Sequence, residues 1–543
     1  MSSTRSYSKT TIRNMLLRKI VHVILCCCGK MSHKHFIPTP IFAFQTPDVY
    51  LVQIHTKLET QVPLVRNRAF VNGEWISAAS GKVFDVIDPA NGKIVGSVPD
   101  MDASDTAKAI QAAADAFETW KHTTAKERSY YLRKWYEVLV KHHDDLATLI
   151  TAEAGKPWKE AHGEVSYGNS FVEWFSEEAR RTHGEILASP TRTKEMILIK
   201  QPIGVAALIT PWNFPIAMIT RKAGAALAAG CTCVVKPAED TPLTGLALAQ
   251  LSQEAGLPKG VFNVITSNRD HAPEVGKLLC ESPLVAGISF TGSTAVGKLL
   301  YKQSSSGVKR LALELGGNAP FIVFNSADID KAVDGAIASK FRNCGQTCVS
   351  ANRFLIQDEI FDVFVDKILD KIKTLSMGSG MDHSCSLGPL INTAQAHKVN
   401  TIVLDAIKKG AKVHCGGRPA SSLGERFYEP TLLTNINESM MCYNEEIFGP
   451  VAVCIRFKTE EGGVTIANST RQGLAGYFFS NDVPQLWRVA KELAVGMVGI
   501  NEGIISTAEA AFGGIKESGI GREGSHHGID EFTYTKYMCF GNL

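Results

Sequence analysis

The chain has 543 residues, too many for one compact core and suited to two or three domains. Hydrophobic residues make up 45% and charged residues 20%, which excludes a fibrous or disordered chain and fits a globular enzyme. Of 57 basic residues, seven precede the first acid, Asp48. The other 50 face 54 acids, so the body is weakly acidic and offers nucleic acid no electrostatic footing. Thirteen cysteines occur without CxxC pairs or a histidine cluster, so neither a zinc site nor a secreted disulfide framework is expected.

In chain order, the first stretch is basic, hydroxyl-rich and free of acids, the composition of a mitochondrial presequence. Its apolar run Ile20–Cys28 is too short to span a bilayer, so no stable membrane insertion is expected. A secretory signal, palmitoylation of Cys26–Cys28, or initiation at Met31 are the other readings; without a presequence the protein is cytoplasmic.

From about Phe70, β-rich runs alternate with helical stretches. Strands are expected at Gly204–Thr210, Cys231–Val235, Val261–Ile265, Gly287–Phe290 and Arg310–Leu313. Helices are expected at Pro215–Gly230, Thr241–Ala255, Pro273–Cys280 and Thr294–Tyr301. This is the βαβ alternation of a parallel sheet covered on both faces. A second series follows, with strands at Phe321–Phe324, Arg353–Gln357, Val451–Phe457 and Gly496–Asn501. Its helices are Ile329–Phe341, Ile360–Leu375 and Thr393–Lys409. The fold class is therefore α/β, two units in tandem joined near Glu314–Asn318, with a ligand cleft beyond the carboxyl ends of the strands.

Several loops in this frame carry chemistry. Phe341–Cys348 ends a polar, glycine-containing run on a thiol, Cys348, with a second thiol, Cys344, four residues earlier. Leu313-Glu314-Leu315-Gly316-Gly317 sets a carboxylate, a candidate base, at a strand end. In Thr210-Pro211-Trp212-Asn213-Phe214-Pro215, two prolines clamp a turn and hold the Asn213 amide rigidly, as an oxyanion donor or as a turn-stabilising residue. Thr291-Gly292-Ser293 closes a strand and opens a helix through Gly297, a place where backbone N–H groups can hold a pyrophosphate. Lys236 and Glu239 follow another strand; a carboxylate there can accept from an adenosine ribose and would repel a 2′-phosphate, favouring NAD over NADP. Each has a bland alternative: a structural thiol, a solvated strand-end acid, a surface ion pair.

Together, in order and spacing, these runs with Glu446-Ile447-Phe448-Gly449-Pro450 and Gly519–Glu523 resemble the aldehyde dehydrogenase superfamily over residues 70 to 543. The resemblance implies two tandem Rossmann-like parallel-sheet domains plus a small β oligomerisation element. The boundaries are an extension over 1–67, a NAD-binding domain over 68–186 and 204–316, and a catalytic domain over 317–517. The oligomerisation element takes 187–203 and the tail 518–543, implying a homodimer or homotetramer. It also implies that Cys348 is the nucleophile, Asn213 and the Cys348 N–H hold the oxyanion, Glu314 activates water, and Glu523 relays protons. Thr210, Pro211, Trp212, Lys236, Glu239, Gly292, Ser293, Gly297, Glu446 and Phe448 would hold NAD.

The runs Met218–Lys222, Lys340–Asn343 and Asn501–Ser506 are similar to those of superfamily members that oxidise succinic semialdehyde, as in 4-aminobutyrate degradation. Arg221 and Arg342 are expected to face one pocket and, with Ser506, to fix the substrate carboxylate by charge-assisted bonds. Rivals are a longer substrate such as glutarate semialdehyde, a CoA-acylating reaction, and a catalytically silent structural homologue. Some relatives have a redox partner two residues past the nucleophile; here that position is Ser350, leaving Cys344 as a bystander or a substitute disulfide partner.

Overall fold

The computed structural model describes residues 62–542. The expected presequence, the apolar run Ile20–Cys28 and Met31 lie outside the described residues. No described helix is long and apolar enough to cross a membrane.

Two large sheets organise the chain. In the first, of eight strands, the central five run parallel in the order Phe262–Val264, Thr232–Lys236, Val205–Ile209, Val285–Thr291, Arg310–Glu314. In chain order these are strands 3-2-1-4-5, so the winding reverses between Val205–Ile209 and Val285–Thr291, where a crevice opens at the carboxyl ends. The hairpin Ala69–Val71 and Glu74–Ile76 borders one edge and Gly519–Ile520 the other, both antiparallel. Thr232–Lys236 is buried along its whole length, as a strand covered on both faces must be, hence the apolar run Cys233–Val235 at its centre. The helix Pro215–Ala229 starts with proline at its first turn and stops at Gly230, whose φ of +97° lets the chain leave the helix.

The second sheet has seven strands; its parallel centre runs Thr431–Thr434, Val451–Phe457, Ala351–Gln357, Ala319–Val323, Ala475–Phe479, Met497–Ile500. The chain passes from one sheet to the other across residues 315–318. A third, antiparallel sheet joins Glu185–Leu187, Lys194–Pro202 and Thr533–Gly541.

Every strand and helix expected from the alternation is present, with ends moved by one to three residues. Among the helices not foreseen are four consecutive ones: Ala103–Trp120, Ala125–Lys141, His143–Ala154 and Trp158–Glu178. The last two pack on one another, and Trp158–Glu178 also packs on Pro215–Ala229, which places it beside the clefts described next.

Candidate active site

Cys348 follows an unusual piece of backbone. Asn343, Cys344 and Gly345 are successive left-handed residues, with φ of 53°, 55° and 74°. Two non-glycine residues in this region store strain that the surroundings must hold. A Cβ on Gly345 would stand 2.1 Å from the Gly449 carbonyl oxygen, so only glycine fits there. Asn343 N–H donates to Glu160 Oε2 at 2.9 Å, and Asn343 Nδ2 to the Asn213 carbonyl at 2.9 Å. Gln346 Nε2 returns a bond to the Asn343 carbonyl at 3.1 Å, and its Oε1 accepts from Ile391 N–H at 2.9 Å. The loop is thus pinned from both sheets.

On one side Cys348 lines an open cleft of about 690 Å³ with Pro211, Trp212, Asn213, Gly292, Ser293, Glu446 and Phe448. Ser293 caps the helix Thr294–Ser304, accepting from Val296 N–H at 3.3 Å. Phe448, at φ +56°, meets Trp212 edge-on with centroids 5.5 Å apart. Glu446 accepts from Gly317 N–H at 3.0 Å, and burial pushes its carboxyl up to about 7. A Cβ on Gly316 would lie 2.8 Å from Glu446 Oε2 and would narrow the floor of the cleft. A dinucleotide fits this crevice, with phosphates at the helix N-terminus and a flat ring near Glu446 and Phe448.

Glu314 ends its strand buried, and neither carboxylate oxygen has a hydrogen-bond partner among the described residues. Burial, then the nearby Glu523 charge, pushes it up to about 8. A buried carboxyl left without donors is costly and marks a functional group. Burial likewise pushes the Cys348 thiol up to about 12, against the pull of Arg221 and Arg342. Asn213 Nδ2 donates to the Gln346 carbonyl at 3.0 Å, spending one of its two hydrogens.

A second cavity, of about 570 Å³, is lined by Arg342 and Ser506 together with Lys156, Glu160, Glu164 and Tyr167. Arg342 makes no ion pair among the described residues and lies over the Phe214 ring at 5.3 Å. Behind it, Lys156 pairs with Glu164, donates to the Asn213 carbonyl at 2.9 Å, and sits 3.9 Å from the Phe214 centroid. Glu164 also accepts from Ile216 N–H at 3.0 Å, at the start of the helix that carries Arg221.

Arg221 and Arg342, expected to face one pocket, both bear on Tyr167 and on the Cys348 thiol. Arg221 lines neither cleft; its guanidinium pairs with Glu523 and reaches Thr291 Oγ1 at 3.4 Å. Burial presses its proton affinity down, but Glu523, together with Tyr167, Glu314 and Cys348 behind it, outweighs that. A fully buried guanidinium requires such a counter-charge, which sequence spacing could not reveal. Glu523 is thereby held by Arg221 and Lys222 rather than bonded to Glu314. Gly297 also stands apart from the dinucleotide cleft: a Cβ there would meet Leu315 Cδ2 at 2.3 Å, so it serves helix-to-strand packing. Thr210 is buried behind the cleft, its N–H bonded to the Lys236 carbonyl at 3.1 Å. Lys236 is buried and Glu239 pairs with the exposed Arg269 at 3.1 Å. Cys344 and Cys348 are both free thiols; burial pushes Cys344 far up, which makes it a poor exchange partner. Lys222, Lys156, Glu160 and Glu164 were missed, because charged residues in helices read as surface until their burial is seen.

The aldehyde dehydrogenase family model matches residues 75–538. This chain belongs to the aldehyde dehydrogenase family. Among members of that family it is 56% identical to the mitochondrial succinate-semialdehyde dehydrogenase of Mus musculus over 481 residues, covering 88% of this chain and 91% of the relative. It is 52% identical to the NADP+ succinate-semialdehyde dehydrogenase GabD of Escherichia coli K12, covering 88% and 98%. The crystal structure of succinate-semialdehyde dehydrogenase from Burkholderia pseudomallei superposes with a TM-score of 0.87 at 50% identity, covering 89% of this chain and all of that one. As an aldehyde dehydrogenase, the protein uses a nicotinamide dinucleotide of the NAD(P) type.

Proposed function

We propose that this aldehyde dehydrogenase oxidises succinic semialdehyde to succinate with NAD+, through a covalent acyl intermediate on Cys348. The observation that carries the substrate is Arg342: a cation without an ion pair, sharing a cavity wall with Ser506 six residues upstream of the nucleophile. A carboxylate three bonds from the aldehyde carbon reaches such a group, while a neutral aldehyde leaves it unpaired.

In the reaction the Cys348 sulfur bonds to the aldehyde carbon, and the thiol proton passes toward Glu314. The resulting oxyanion is held by the free Asn213 Nδ2 hydrogen and the Cys348 N–H. A dinucleotide held in the first cleft by Trp212, Ser293, Glu446 and Phe448 would supply the hydride acceptor; Cys348 carries the oxidised acyl group as a thioester. Once Glu314 has released the thiol proton to solvent it takes a proton from water, the oxygen bonds to the acyl carbon, and the carbon–sulfur bond breaks to release the acid, the sulfur leaving as thiolate. Arg221 and Lys222 hold Glu523 beside Glu314, and Arg221 adds positive potential toward the thiol.

Glu239 favours NAD over NADP, since its carboxylate repels a 2′-phosphate at the ribose end. Residence in the mitochondrial matrix is supported by the mitochondrial relatives, and assembly as a homo-oligomer by the exposed third sheet. The test is kcat/KM with succinic semialdehyde against butanal, for the parent and Arg342→Ala, each with NAD and with NADP. A preference of about a hundredfold or more for the semialdehyde, collapsing in the variant, is expected. Equal rates on both aldehydes overturn the substrate; equal rates with both dinucleotides overturn the NAD assignment.

A further inference from the structure

Outside the catalytic clefts, the helices His143–Ala154 and Trp158–Glu178 meet at a corner where His143, Asp144 and His162 converge. One ligand-capable atom of each lies within 4.8 Å of the others. His162 Nε2 is 2.7 Å from Asp144 Oδ1, and His143 Nδ1 is 3.7 Å from the same oxygen.

Counting protons at this corner gives its chemistry. The Ser166 hydroxyl has one hydrogen and donates it to the His162 carbonyl at 3.3 Å. With its hydrogen turned that way it accepts from His143 Nε2–H, 3.1 Å away. A neutral imidazole with hydrogen on Nε2 carries a bare lone pair on Nδ1. That nitrogen is shielded from water and has no hydrogen-bond partner. It faces the Asp144 carboxylate, which also only accepts. In this tautomer the Nδ1 lone pair, the Asp144 carboxylate and the second imidazole converge on a space that a cation would complete.

We propose that His143 Nδ1, Asp144 and His162 Nε2 form a binding site for a divalent transition metal of the zinc type. Bonds of about 2.0–2.1 Å in a tetrahedron set ligand atoms roughly 3.4 Å apart. The 2.7 and 3.7 Å separations bracket that spacing, and the Asp144 side chain, 80% exposed, is free to adjust. Two imidazoles with one carboxylate select zinc over magnesium or calcium. Ser166 fixes the His143 ring as an outer partner, and Trp158 covers His162 with centroids 4.5 Å apart. Metal binding takes the place of the proton on His162 Nε2 and leaves a fourth position to solvent. Glu160, Gly163 and Glu164 of the same helix line the Arg342 cavity, so the metal anchors an element of the substrate pocket.

The test uses Co2+ as a spectroscopic probe on the chelator-treated full chain carrying Cys348→Ser, so that the reactive thiol cannot compete. One Co2+ per chain is expected, with visible bands of nitrogen and oxygen ligation, no thiolate charge-transfer band, and displacement by Zn2+. Ser166→Ala should weaken binding about tenfold, and His143→Gln or His162→Gln should weaken it further. In the chain that retains Cys348, metal-free His162→Gln should form NADH at the parental rate, which checks its fold. No binding up to millimolar Co2+, a thiolate band alone, or unchanged affinity in the double histidine variant overturns the site.

Discussion

Glu314 and Lys156 carry opposite lessons at the scale of single residues. The Glu314 carboxyl sits at about 8, so most molecules near neutral pH hold it protonated, and its capacity to accept a proton grows as pH rises. The steady-state rate is therefore expected to climb between pH 6.5 and 8.5, measured as NADH formation at saturating substrate. Glu314→Gln should remove that climb and lower turnover by about a hundredfold or more, because the thioester then waits for unassisted water. Lys156 never meets substrate chemistry directly. It is fully buried, its charge balanced by Glu164 and its ammonium aimed at the Asn213 carbonyl. Lys156→Met leaves Glu164 uncompensated and should cost about 3–5 kcal/mol, read as a lowered Tm. The double variant Lys156→Met/Glu164→Leu should recover much of that loss. Neither role was legible in full. The strand-end position of Glu314 was visible, but its lack of donors was not. Lys156 and Glu164 lie on two sides of a turn, and nothing in a sequence marks two charges eight apart as buried.

Elements were far more legible than individual charges, for a physical reason. Parallel strands buried on both faces are short and mostly apolar, so Cys233–Val235 within Thr232–Lys236 stands out from the helices around it. The helices from Ala103 to Glu178 were missed because their polar faces break up the apolar runs that announce an element. They matter nonetheless. Glu153, in the helix His143–Ala154, accepts from the N–H groups of Leu243 and Thr244 at 2.9 Å each, capping the helix Pro242–Glu254. Burial pushes this carboxyl up to about 8. With the folded value above the unfolded one near 4.5, its favourable share of stability is complete below about 4.5 and is lost as pH rises through about 8. Glu153→Gln should flatten that decline. Comparing Tm at pH 6 and pH 9 for parent and variant checks it; an equal drop in both would refute the assignment. The metal corner on the same helix was hidden because His143 and His162 meet only where two helices cross.

For the whole molecule, the third sheet is the feature that looks outward. Ile186 is 80% exposed, and Tyr537 and Phe540 add further apolar surface on the edge formed by Thr533–Gly541. Such surface is what a self-associating face offers. Sedimentation of the parent should give a dimer or tetramer, and Ile186→Glu/Phe540→Glu should shift it toward monomer while far-UV circular dichroism stays unchanged. The tandem α/β plan was readable because each unit repeats the same alternation. The pairing of a C-terminal strand with Lys194–Pro202, more than three hundred residues away, was reachable only through the family resemblance.

That tail has a second attachment. Gly519 pairs with Glu314 across the edge of the first sheet, and Glu523 supplies the counter-charge that lets Arg221 and Lys222 be buried. The strand that ends at Glu314 is thus completed by a residue far downstream in the chain, Gly519. Gly519 and Glu523 are made 171 and 175 codons after Cys348, so the surroundings of the thiol assemble only once that stretch exists. A variant cut before Gly519 is expected to lose that edge strand together with the counter-charge for Arg221 and Lys222, and with them NADH formation, although Cys348 itself is intact.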